Sequence, residues 1–111
     1  MQVISETVYR GTEILNRPNG WEGVPLTVDF TSVSDTIDGM KVVKAGTPLS
    51  REGKKVSDDS VWGILLSDVF EARPIGTVLK KGYLNKKRIN EHAGEDIPSA
   101  VLEALPMIVV E

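Results

Sequence analysis

The sequence has 111 residues, a formal net charge of −3 and no cysteine. A chain of this length predicts a single domain, and the missing cysteines exclude disulfide bonds, thiolate metal sites and cysteine nucleophiles. Apolar runs stay well short of the roughly 20 residues that a transmembrane helix needs, and the first residues lack the basic-then-apolar pattern of a signal peptide. We therefore expect a soluble protein that is made in the cytoplasm and does not contact a membrane.

The charge is unevenly distributed along the chain. Residues 1–35 contain two basic and five acidic residues, which gives −3, whereas residues 36–111 contain eleven of each and are neutral. This balance disfavours general nucleic-acid binding. We divide the chain here into an N-terminal arm with its linker, residues 1–35, and a compact β-rich domain, residues 36–111.

The first 25 residues combine apolar side chains with helix and strand breakers, and they show neither helical nor strand periodicity. One interpretation is a disordered tail, and the other is an extended arm that becomes ordered on a partner. Large apolar side chains are costly to leave in water, which favours the second interpretation. The candidate partner-binding residues are Val8, Tyr9, Ile14, Leu15 and Trp21.

Short apolar runs separated by turn residues follow the arm. Residues 26–30 alternate in the manner of a half-buried strand, and Asp38-Gly39 favours a tight turn. Residues 40–69 contain three further short strands with glycine turns between them. This spacing is typical of a small, mostly β body.

The stretch from 77 to 89, TVLKKGYLNKKRI, predicts one strand with a bulge or a close backbone approach at Gly82. It could bind nucleic acid through its basic residues, but a solvated sheet edge is favoured because Tyr83 is its only aromatic residue. The basic residues are Lys80, Lys81, Lys86, Lys87 and Arg88.

The C-terminal residues predict a short helix that buries Val101, Leu102 and Leu105 and ends at Pro106, followed by an apolar strand over 107–110. The expected fold class is therefore α+β and mostly β. It comprises a small body with one short C-terminal helix and an extended N-terminal arm.

Residues that carry chemistry are sparse. His92 lies beside Glu91, Glu95 and Asp96 and could imitate a metal site, but one imidazole with local carboxylates is a weak ligand set, and an exposed loop histidine is favoured. Catalytic triads and phosphate-binding glycine loops cannot be placed on the sequence. We therefore expect a protein that is not an enzyme and has no metal or cofactor.

A succession of motifs in residues 36–111 resembles the head decoration proteins of tailed bacteriophages, the lambda-type capsid-stabilising or cement proteins. The motifs are AGTPL at 45–49, VWGILLSDV at 61–69 and TVLKKGYLNKKRI at 77–89, followed by a short helix and an apolar strand. The resemblance implies a compact β-tulip body that binds the major capsid protein as a homotrimer. It further implies a position on the outer surface of the expanded capsid in the virion, where the arm adds to capsid-protein strands and the trimer stabilises the shell against packaged DNA.

The alternative is a small β-barrel interaction or carrier-like module. The segment VKAGTPL at 43–49 resembles the hairpin of lipoyl and biotinyl carrier barrels. Those carriers display a lysine at a hairpin tip between Asp or Met residues, and no lysine of this chain has that setting.

Overall fold

The computed structural model of the protein describes residues 14–17 and 19–111. Strands predominate over helices among these residues, so the predicted α+β, mostly β fold class is confirmed. In chain order the elements are β1 (Glu22–Thr27), β2 (Thr36–Ile37), β3 (Met40–Val43), β4 (Pro48–Ser50), β5 (Val61–Leu65), β6 (Val69–Phe70), β7 (Ile75–Leu84), α1 (Lys86–Ala93), α2 (Ser99–Ala104) and β8 (Ile108–Val110).

The ten-residue strand β7 organises the larger of two sheets. It pairs antiparallel with β1 and β5 and parallel with β8, and β4 continues the sheet beyond β5. The smaller sheet has the order β2-β3-β6 and is antiparallel. Strand β7 can be central because its adjacent residues Val78 and Leu79 are both buried, one on each face of the sheet.

Two apolar clusters cover opposite faces of the larger sheet, as neighbouring residues in β5 and β7 show. Ile64 and Leu79 are register partners in the first cluster, whereas Leu65 and Val78 are partners in the second. The two helices and β8 complete the first cluster, with Ile89, Val101 and Ile108 among its members. The smaller sheet contributes to the second through residues of β3 and β6.

The segment before residue 36 contributes to both clusters. Ile14 is fully buried in the first cluster, and Val28 and Phe30 are buried in the second. In addition, the Asp29 amide donates to the carbonyl oxygen of Gly53 at 3.0 Å, which ties the end of β1 to the turn after β4. The predicted division at residue 35 thus falls after β1, and part of the segment predicted as an arm packs within the body.

The described residues contain a second helix, α1, in addition to the predicted C-terminal one. The stretch predicted as a single strand over 77–89 ends its pairing at Leu84, and α1 begins at Lys86. Asn85 caps this helix by accepting a hydrogen bond from the Arg88 amide at 2.9 Å. Ile89 is the buried residue of this helix and packs in the first cluster.

The C-terminal helix and strand are confirmed, with different details. Helix α2 begins at Ser99 after Pro98, buries Val101, and is followed by β8. In the described chain β8 pairs only with β7, so its centre, Val109, is 44% exposed. At Gly82 the close neighbours are side chains rather than backbone, since a Cβ there would lie 3.2 Å from Leu79 Cδ1 and from Trp21 Cβ. The bulge in β7 lies at Lys80.

Candidate functional site

The structure distributes the predicted partner-binding residues over different environments. Val8 and Tyr9 lie outside the described residues. Ile14 has no exposed surface, and Leu15 is half-buried and bridges to Leu84 of β7. Trp21 is 41% exposed and borders β7 near Gly82. Of the described candidates, Trp21 therefore offers the largest surface to a partner, whereas Ile14 is covered by the protein's own core.

Main-chain hydrogen bonds pair residues 14–17 with the end of β7. The Asn16 amide donates to the Tyr83 carbonyl oxygen at 2.7 Å, and the Asn85 amide donates to the Ile14 carbonyl oxygen at 2.8 Å. These bonds continue the antiparallel pairing seen at the Leu15–Leu84 bridge. Main-chain hydrogen bonds therefore join Ile14 and Asn16 to the body.

A network of charged and polar side chains connects residues 16 and 17 to Glu111. The Arg17 guanidinium donates to both carboxylate oxygens of Glu111, at 2.9 and 2.8 Å, and Asn16 Nδ2 donates to Glu111 Oε2 at 2.8 Å. Hydrogen bonds from Arg17 and then Asn16 lower the pKa of Glu111. The same bond to Glu111 raises the pKa of Arg17. The ion pair thus links the start of the described chain to the residue after β8.

Three exposed apolar side chains, here called the tyrosine patch, lie beside this network. Tyr83 and Val109 are register partners of the parallel β7–β8 pair, and both are exposed, as is Met107 before β8. The Arg17 guanidinium stacks 4.1 Å from the centroid of the Tyr83 ring. An exposed apolar group on a sheet edge is a candidate protein contact.

A second polar-aromatic group involves Arg51, Trp62 and Lys80, which we call the tryptophan site. The Lys80 ammonium lies 4.4 Å from the centroid of the Trp62 ring, and the Arg51 guanidinium lies 5.7 Å from it. Lys80 Nζ also donates to the main-chain carbonyl oxygen of Trp62. Burial and then the nearby charge of Arg51 lower the pKa of Lys80.

Sequence reasoning did not bring these three residues together. Arg51 and Trp62 fell among the short strands and glycine turns predicted over residues 40–69, and Lys80 fell among the basic residues of 77–89. Their proximity depends on the pairing register of β4, β5 and β7, which no local pattern specifies. A tryptophan next to a glycine, Gly63, within a short strand was the available signal of an irregular, close-packed position.

The predicted basic stretch is divided between two elements. Lys80 and Lys81 lie in β7. The first turn of α1 consists of Lys86, Lys87 and Arg88, and this turn contains no acidic residue. Positive charges near a helix N-terminus oppose the helix dipole. The five residues therefore do not form one strand face.

His92 is not an exposed loop residue, contrary to the prediction. It lies in α1 with a side chain that is 22% exposed, and its Nε2 atom is 2.6 Å from Asp68 Oδ1. The same Asp68 oxygen accepts a hydrogen bond from the Ala45 amide at 2.9 Å. This carboxylate joins α1 to the turn between β3 and β4, which is a structural function.

A cleft of about 230 Å³ lies beside the β3–β4 turn. Its charged lining residues are Asp29, Asp35, Lys44, Lys55, Glu95 and Asp96. Lys55 pairs with Glu95 at 3.4 Å across this region. Among residues 14–17 and 19–111, no group of three or more His, Asp or Glu side chains is arranged to hold a metal ion. No helix in the same ranges is both long and apolar enough to cross a membrane.

Comparisons of the chain with protein-family models, with curated proteins and with solved structures give no match. Function must therefore be argued from the residues and their geometry.

Proposed function

We propose that the protein is a structural component of the virion, a lambda-type head decoration protein of a tailed bacteriophage. It binds the major capsid protein on the outer surface of the expanded capsid as a homotrimer. Its contacts across the seams between capsomers stabilise the shell against the pressure of packaged DNA. The function requires surfaces rather than a reactive centre, so neither catalysis nor a cofactor enters it.

The observation that supports this proposal is where the resembling motifs lie in the fold. AGTPL at 45–49 leads into β4, VWGILLSDV at 61–69 contains β5, and TVLKKGYLNKKRI at 77–89 contains most of β7. The helix and final strand of the resemblance correspond to α2 and β8. The four strands that these motifs form, β4, β5, β7 and β8, belong to one sheet, in which each pairs with the next in this order. Short motifs that build one contiguous sheet are a more specific signal than the same motifs scattered over unconnected loops.

Residues 1–13 supply the proposed capsid anchor. They precede the point where Ile14 and Asn16 are hydrogen-bonded to the end of β7, so force on the anchor passes directly into the larger sheet. In this proposal Val8 and Tyr9 bind the capsid protein, and main-chain hydrogen bonds of an added strand contribute affinity that tolerates an uneven sequence. Many such anchors on one lattice give avidity although each is weak.

A heat-release assay tests the stabilising function. Expanded heads of the encoding phage are heated with and without the purified protein, and nuclease-accessible DNA is measured at each temperature. The full chain should raise the temperature of DNA release, and a variant that lacks residues 1–13 should not. This deletion leaves Ile14 and the Arg17–Glu111 pair in place, so its fold can be verified separately by circular dichroism. An unchanged release temperature with the full chain contradicts the proposal.

A further inference from the structure

The tryptophan site is built by two adjacent β-bulges. Between β4 and β5, Leu49 is opposite Gly63 and Ser50 is opposite Val61, which leaves Trp62 as the extra residue. Between β1 and β7, Gly23 is opposite Leu79 and Glu22 is opposite Lys81, which leaves Lys80 as the extra residue. Bulges redirect side chains and are frequent next to functional sites. Here the two extra residues, one from each bulge, contact each other.

Within the part of the chain that the structure describes, the two positive charges of the site have no carboxylate partner. The ion pairs of the described residues include neither Arg51 nor Lys80. Lys80 uses one of its three N–H donors on the Trp62 carbonyl oxygen, and no described hydrogen bond uses the other two. Burial and then the nearby charge of Arg51 lower the pKa of Lys80, so its ammonium is both partly desolvated and close to a like charge. An incoming anion would relieve this repulsion.

We propose that Arg51, Trp62 and Lys80 form a docking site for an acidic protein segment, in which an Asp or Glu carboxylate contacts both cations. The half-buried indole ring provides a rigid apolar surface beside the two cations. Tryptophan and arginine are among the residues most enriched at the interface positions that contribute most of the binding energy. The guanidinium can bind a carboxylate through two parallel hydrogen bonds, and the ammonium adds a third charge-assisted bond. This docking site is independent of the capsid role, although an acidic patch on a capsid protein would suit it.

Protein is favoured over nucleic acid for two reasons. A stacking platform needs a free aromatic face, and Lys80 already lies over the Trp62 ring. The net charge of −3 also repels duplex DNA, which carries about one negative charge per 1.7 Å of its axis, more strongly than it repels a short segment with a few carboxylates.

Tryptophan fluorescence provides a direct test. The full chain has two tryptophans, so a Trp21→Phe background makes Trp62 the only indole fluorophore. Hexaglutamate peptide is titrated at about 20 mM and about 150 mM salt, because exposed ion pairs are screened by salt. We expect a saturable change in Trp62 emission that weakens at the higher salt. Combining Arg51→Gln with Lys80→Met should weaken binding at least about tenfold, which corresponds to about 1.4 kcal/mol.

The matched control combines Lys81→Gln with Lys87→Gln. It removes the same two positive charges at exposed positions outside the site, and it should change affinity less than about twofold. Arg51→Gln alone, at an exposed turn position, serves if the Lys80 variant does not fold. Equal losses in both double variants, or no emission change with the peptide, would overturn the proposal. Tighter binding of a duplex oligonucleotide through the same residues would overturn the choice of a protein partner.

Discussion

Arg17 donates two hydrogen bonds to the carboxylate of Glu111, a residue 94 positions later in the chain. The pair lies at the end of β7, where residues 14–17 and β8 are both hydrogen-bonded to this strand. The Asn16 amide donates to the Tyr83 carbonyl oxygen, and the Glu111 amide donates to the Leu84 carbonyl oxygen. One ion pair therefore joins the two ends of the described chain.

The first prediction concerns pH and the Glu111→Gln variant. Hydrogen bonds lower the pKa of Glu111 in the folded state, so the unfolded state binds a proton more readily. The stabilising contribution is therefore fully present above the ordinary pKa of 4.5 and is lost as the pH falls through the lower folded value. Urea unfolding should show a lower free energy of unfolding for Glu111→Gln at neutral pH, and the difference from the unmodified protein should vanish in acid.

Asp29 and Asp58 also have lowered pKa values, because hydrogen bonds from Thr31 and Ser60 favour their charged forms. Both residues are present in every variant compared, so their pH-dependent contributions to the free energy of unfolding cancel when two variants are compared at one pH. Glu103→Gln, on the exposed face of α2, is the matched control for the loss of one carboxylate and should change the free energy of unfolding by less than about 0.5 kcal/mol. A Glu111→Gln difference that persists unchanged in acid would show that the side chain acts through packing rather than charge.

Gly53 gives the second prediction. Its φ angle is +85°, and a Cβ there would lie 2.2 Å from the Thr27 carbonyl oxygen at the end of β1. Gly53→Ala should reduce the free energy of unfolding by more than about 2 kcal/mol, since backbone strain and a clash with main chain combine. Gly39→Ala is the control, because its φ of +80° is similar but no atom lies within 4 Å. It should cost about 1 kcal/mol. Equal costs would mean that the turn does not pack on β1.

Leu65 gives the third prediction. It lies in β5, has no exposed surface and belongs to the second apolar cluster. Leu65→Ala should cost roughly 2–5 kcal/mol in urea unfolding, because the removed methyl groups leave a cavity. Ile75→Ala, at a residue that is 60% exposed, should cost less than about 1 kcal/mol. A loss below about 1 kcal/mol at Leu65 would place this side chain on the surface.

Local patterns predicted the fold class and several elements. The Asp38-Gly39 turn between β2 and β3 is present, with positive φ angles of 54° and 80°. Strand β5 and helix α2 lie where the apolar residues indicated them. These features are decided by residues close in sequence, by glycine conformation and by the spacing of apolar side chains.

Features that depend on distant contacts were not predictable. Residues 22–25 contain Gly23 and Pro25, which disfavour a strand, yet they pair with β7 because that edge of the sheet offers main-chain partners. Similarly, the tryptophan site requires two bulges whose positions follow from pairing register. The helix α1 is different, since Asn85 carried a recognisable capping signal that the run of basic and apolar residues obscured.

The fourth prediction concerns the basic first turn of α1. In the proposed role these lysines face solvent or acidic capsid surface, where each pair contributes roughly 0–1 kcal/mol and is screened by salt. Replacing Lys86 and Lys87 by Gln should weaken binding to expanded heads slightly at low salt and hardly at all at high salt. Duplex DNA binding, measured by fluorescence anisotropy, should be negligible at physiological salt in both forms. Low-micromolar DNA binding that disappears in the double variant would contradict the capsid interpretation of this segment.

The most direct test of the central proposal is co-sedimentation with two forms of the same capsid. Purified protein is mixed with expanded heads and, separately, with unexpanded proheads of the encoding phage, and the bound copies are counted across a concentration series. A decoration protein should saturate expanded heads at a number of copies set by the lattice, three for each threefold position, and should leave proheads unoccupied. Equal binding to both forms, or binding to neither, would contradict the account.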